Sequence, residues 1–76
     1  MARKEIMQFV EDMERKLKEN DHKGGWQDEH TYILLNLMAG ELFELKDALS
    51  KKDKQNIINE CADIANFAMM IADLSR

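Results

Sequence analysis

Residues 41–63 read ELFELKDALSKKDKQNIINECAD. Two carboxylate pairs frame this stretch, Glu41 with Glu44 and Glu60 with Asp63. Each pair is spaced i, i+3, so its members share one face of a helix. In both cases that face is the apolar one. Leu34, Leu37, Leu45 and Ala48 surround the first pair, and Ile64, Phe67, Met70 and Leu74 surround the second. An unpaired carboxylate is costly to desolvate. Four core-facing acids without matching cations therefore imply a bound hard cation such as Mg²⁺. The plainer alternative, two solvated helix faces with lysines nearby, stays open in a chain that is 34% charged.

The connection between the pairs argues for one cluster. Ser50-Lys51-Lys52-Asp53 reads as a short turn, with Ser50 or Asp53 capping the next helix. Glu44 lies six residues before Ser50 and Glu60 seven after Asp53. At the helical rise those offsets are about 9 and 10.5 Å, so antiparallel helices bring the pairs to similar heights.

Outward from this hairpin, the row Ile6, Val10, Met13, Leu17 predicts a first helix over residues 2–19, with charges on its other face. Asn20 to Gly25, ending in the double glycine, is the one clear break. Asp28 is the expected N-cap of a second helix reaching Leu49, with Glu29 in its first turn. Gly40 inside that helix costs about 1 kcal/mol relative to alanine and suggests close approach of another helix. The third helix is expected over residues 54–74. It is amphipathic at first, with Ile57, Ile58, Cys61 and Ile64 inward and Gln55, Asn56 and Asn59 outward. From Phe67 to Ala72 it is apolar almost all round, and such a helix is buried on every side.

The fold class is thus all-α: a single domain over residues 1–76, a short bundle of three main helices completed by homo-oligomerisation. A chain this short buries only roughly 60–65% of its unfolded surface, so its own core is marginal. The expected oligomer is a dimer or tetramer, with the third helices packed across the interface and the pocket completed by another subunit.

Composition excludes several functions. The net charge is −4 and no basic stripe is interleaved with aromatics, which disfavours duplex nucleic acid. No apolar run approaches membrane-spanning length, and Met1-Ala-Arg-Lys-Glu5 leads into mixed sequence rather than a secretory h-region. The lone Cys61 reads as a small buried hydrophobe, and a free thiol with six methionines suits a reducing cytoplasm. His22 and His30 form no Glu-x-x-His pair with the acids, which argues against a di-iron bundle and against zinc. An oxygen-only ligand set favours Mg²⁺, or Mn²⁺.

Three further residues are candidates for contact with a substrate. Asn66, one turn beyond Asp63, either binds a sugar hydroxyl, a phosphate or a metal-bound water, or bridges helices. Trp26 either stacks on a base or lids the core. Lys23 either reaches a phosphate or is an exposed loop lysine.

The arrangement Glu41-x-x-Glu44 … Glu60-x-x-Asp63 resembles the all-α NTP pyrophosphohydrolases of the MazG type. That superfamily includes dimeric dUTPases, dCTP pyrophosphatases and phosphoribosyl-ATP pyrophosphohydrolases. The likeness runs from Gly25 to Asp73. It includes the tryptophan-bearing stretch 25–31, the segment 40–48 and the segment 59–67. The resemblance implies Mg²⁺-dependent hydrolysis of a nucleoside triphosphate to the monophosphate and pyrophosphate. Glu41, Glu44, Glu60 and Asp63 would hold the metal, and Glu44 would take the water's proton as general base. A non-catalytic nucleotide- or protein-binding module of the same fold, or a purely structural oligomerisation bundle, are the alternatives.

Overall fold

A computed structural model describes residues 1–76. It contains three α-helices and no strand: α1 (Lys4–Glu19), α2 (Thr31–Lys51) and α3 (Lys54–Leu74), with a 3₁₀ turn at Asp21–Lys23. The α2–α3 hairpin is the body of the fold. Its connection is shorter than expected, because Ser50 and Lys51 continue the helix and only Lys52 and Asp53 lie outside. Lys52 takes the left-handed conformation at φ 55°. Its position lets the amide of Asp53 donate to the Ala48 carbonyl, a Schellman-type closure. Asp53 Oδ1 then accepts from the Asn56 amide at 3.2 Å, so one residue closes α2 and caps α3.

α3 is the central helix, packed against α2 along its length and against α1 on another side. α2 turns Leu34, Met38, Glu41, Leu45 and Ala48 inward, at the i, i+4, i+7 spacing of a helical stripe. α1 departs from its expected row. Phe9, Met13 and Leu17 are half-buried, whereas Ile6 and Val10 are exposed. Its charged side is not simply solvated: Asp12, Arg15 and Lys16 are half-buried, and the Arg15 guanidinium donates to Asn59 Oδ1 at 2.9 Å. Asn59, expected to face outward, is thereby part of the α1–α3 contact.

The loop departs from expectation as well. Gly24 has φ 87°, where a side chain is strained. Asp28 does not cap α2. The Glu29 amide donates to the Trp26 carbonyl, which holds these residues in a turn, and the helix starts at Thr31 with His30 as its cap. His30 Nδ1 accepts from the Tyr32 amide at 3.2 Å. A Cβ at Gly40 would meet nothing within 4 Å, so no helix of this chain approaches there.

The core is thin. Only Leu34, Ala48, Ala62 and Asn66 are buried, and no large side chain is fully enclosed. α1 and α2 supply much of the cover that the apolar α3 was expected to lack. The large uncovered hydrophobics sit mainly on α2, including Tyr32, Leu35, Leu42, Phe43 and Leu49. No helix is long and apolar enough to cross a membrane.

Candidate metal centre

The matched heights hold. Glu41 from α2 and Glu60 and Asp63 from α3 each present an oxygen within 4.8 Å of the others. All three are half-buried. Glu41 Oε2 and Glu60 Oε2 are buried and accept no hydrogen bond. A buried acceptor without a donor requires a proton or a cation.

The electrostatics say the same. The Glu41 carboxyl is pushed from its ordinary value of 4.5 up to about 8. Burial is the first cause; the neighbouring Glu60 and Glu44 carboxylates, which favour a shared proton and repel a further negative charge, add to it. Asp63 is raised as well, by burial first and then by the charges of Glu19 and Glu44, while Lys16 opposes the shift. Without a cation, Glu41 holds at neutral pH a proton that an ordinary carboxylate would have lost.

The donor set fits a hard divalent ion, since every candidate ligand is a carboxylate oxygen.

Glu44 stands apart from the trio. It is exposed, one turn from Glu41, and lines an open hollow nearer the α2–α3 connection with Phe43, Asp47, Asn56 and Glu60. On the other side of the acids lies a cleft of about 490 Å³ between the three helices. Glu41 and Asp63 form one end of it, and Leu37, Phe67 and Met70 are among its apolar walls. Lys23 and Asn66 line the same cleft. The Asn66 amide donates to the Met13 carbonyl at 3.0 Å, whereas its Oδ1 is buried without a partner. Trp26 lies outside this cleft. It borders a smaller hollow that shares Leu17, Asn20 and Met70 with it, and its Nε1 donates to Asp73 Oδ2 at 2.9 Å.

One cation close to the acids was not anticipated. Lys16 Nζ is 3.7 Å from Asp63 Oδ2 and 3.0 Å from Glu19 Oε2, so the acids are not wholly without a counter-charge. The only signal in the sequence was the position of Lys16 between Met13 and Leu17, both of which face α3.

Neither curated proteins nor solved structures yield a match to this chain. A family model described as phosphoribosyl-ATP pyrophosphohydrolase matches residues 6–76, which takes in α2, α3, all but the first two residues of α1, and every acid of the cluster. The chain therefore belongs to the phosphoribosyl-ATP pyrophosphohydrolase family, within the MazG-like all-α superfamily, and so to the pyrophosphohydrolases that act on a nucleotide.

Proposed function

We propose that the chain is a Mg²⁺-dependent pyrophosphohydrolase of a nucleoside triphosphate, releasing the monophosphate and pyrophosphate. The observation that carries this is the trio Glu41, Glu60 and Asp63, with two buried orphan oxygens, beside a cleft that Glu41 and Asp63 line and that is large enough for a nucleotide. The family match supports the reaction class and puts phosphoribosyl-ATP first among substrates to test, ahead of other NTPs and dNTPs.

In this reading Glu41, Glu60 and Asp63 hold Mg²⁺, or Mn²⁺, and Glu44 completes the set from the solvent side. The ions, when bound, would neutralise the phosphates and the charge that develops in the transition state. Water adds to one phosphorus of the α–β anhydride, and the bond from that phosphorus to the bridging oxygen breaks. The electron pair stays on that oxygen, which departs with the other phosphate group; the products are the monophosphate and pyrophosphate. Glu44 takes the water's proton, because it is the exposed carboxylate beside the cluster. Lys23 contacts phosphate from the rim, Asn66 orients the substrate from inside the cleft, and Trp26 offers a ring to the base from the adjoining hollow.

A homo-oligomer, dimer or tetramer, belongs to the same proposal. The exposed Tyr32, Leu35, Leu42, Phe43 and Leu49 on α2 support it, since a monomer would leave this apolar surface in water. A cytoplasmic setting would suit the substrate.

The test is a screen of phosphoribosyl-ATP, NTPs and dNTPs for pyrophosphate release with Mg²⁺ and with Mn²⁺. Release from one of them is the expected result. If none is cleaved yet calorimetry detects nucleotide binding, the chain is a binding module without turnover.

A further inference from the structure

A triphosphate entering the cleft meets an acidic protein at its acidic end. The cations lining the cleft are Lys16 and Lys23. They differ in placement. Lys23 is exposed on the 3₁₀ turn, whereas the Lys16 side chain is only 17% exposed and lies against the carboxylates. Its ammonium is 3.7 Å from Asp63 Oδ2, and Glu19 holds it on the other side at 3.0 Å.

We infer that Lys16 is a substrate-binding residue with two positions: counter-ion to Asp63 when the metal is absent, and phosphate contact when metal and nucleotide are bound. This rests on the nucleotide reading above. Mg²⁺ and the Lys16 ammonium compete for Asp63 because both are cations seeking the same oxygen. Once the metal takes Asp63, the ammonium needs a new partner, and its long stem lets it turn into the cleft where phosphate oxygens would lie. A lysine that only pinned α1 to α3 would show no link to metal or phosphate.

Calorimetry on the full chain distinguishes the two. The probes are Mg²⁺ alone, then α,β-methylene-ATP with Mg²⁺, a triphosphate that cannot be cleaved at the α–β bridge. Lys16→Met is expected to bind Mg²⁺ alone more tightly than wild type, because a competing cation is gone. It is expected to bind the analogue about tenfold or more weakly, the loss of one charge-assisted contact. Lys16→Arg restores analogue binding in part, since it keeps the charge. Circular dichroism checks the fold, and Lys16→Gln replaces the methionine variant if that one does not fold. Equal analogue affinity in wild type and the neutral variant overturns the inference while leaving the nucleotide reading intact. No analogue binding by wild type overturns the inference, and together with no turnover in the screen above it overturns the nucleotide reading as well.

Discussion

The α2–α3 hairpin and α1 hold the same centre by different means. The hairpin is joined by two residues, closed by the Asp53 amide and carboxylate, and zipped along a stripe of small and apolar side chains ending in Ala48 and Ala62. α1 is attached through polar contacts: Arg15 to Asn59, Lys16 to Asp63, and the Met13 carbonyl to Asn66. The hairpin supplies every acid, whereas α1 supplies Lys16 and one wall of the cleft. A short-looped local unit thus fixes the carboxylate oxygens, and a helix tied to it by these polar contacts forms the other side of the cleft. Regions held by few buried apolar contacts are the ones that open first.

The largest effect should come from the hairpin's own acids. Glu60→Gln keeps the shape and removes the charge from a buried orphan oxygen. Groups that merely support a metal ligand are worth about 10–100-fold in affinity, so loss of a proposed ligand should cost on the order of a hundredfold or more in pyrophosphate release. The variant should melt no lower than wild type without metal, because a like-charge contact has gone. If Glu60→Gln turns over normally, the centre lies elsewhere.

The second effect is a pH dependence. Glu41 titrates near 8 in the folded chain against 4.5 ordinarily, so the fold binds its proton more tightly than the unfolded chain does. The contribution of Glu41 to metal-free stability is then full below about pH 4.5 and is lost as pH rises through about 8. The raised Asp63 acts in the same direction. Mg²⁺ at pH 8 should replace the proton and restore stability, and its binding at pH 6–7 should release protons. Thermal melts with and without Mg²⁺, and calorimetry in buffers of different ionisation enthalpy, read both. A metal-free chain more stable at pH 8 than at pH 5 would break this account.

These contrasts also explain what the sequence made legible. The hairpin was readable because both its helices repeat apolar residues at helical spacing and the acids lie at equal distances from one connection. Asp53 as a cap came from the same local chemistry. α1 was readable as a helix but not in its docking. Ile6, Val10, Met13 and Leu17 form the obvious row, yet Phe9, Met13 and Leu17 turn toward α3, and which flank docks depends on where α3 presents Asn59, Asp63 and Asn66. Lys16 therefore looked like one of many solvated charges. Asp28 looked like a cap because its residue type is right; the Trp26–Glu29 turn, a backbone feature, displaced the helix start to Thr31.

Asn66 tests how much α1 depends on its polar contacts. Asn66→Ala removes the tertiary hydrogen bond to the Met13 carbonyl, which keeps its helical partner inside α1, so the loss is that of one net hydrogen bond, about 0.5–1.5 kcal/mol. Urea unfolding should show that loss. Protection of α1 amides from hydrogen exchange should fall more than that of α2 and α3. A uniform fall across the three helices would mean that α1 and the hairpin unfold as one unit.

The smallest effect belongs to Trp26. Its indole N–H donates to Asp73 at the end of α3, but the bond is solvent-exposed and water can replace it. Trp26→Phe keeps an apolar ring beside Leu17 and Met70, so the expected loss is below about 1 kcal/mol, no more than about 4–8 °C in Tm. A base that stacks on this ring would still find one in the phenylalanine variant, whereas Trp26→Ala would remove it. Nucleotide affinity that is kept in the first and lost in the second would place the ring in the site. Loss of stability in both, with affinity unchanged, would make Trp26 a tie between the loop and α3, and would leave base recognition to the cleft walls Leu37, Phe67 and Met70.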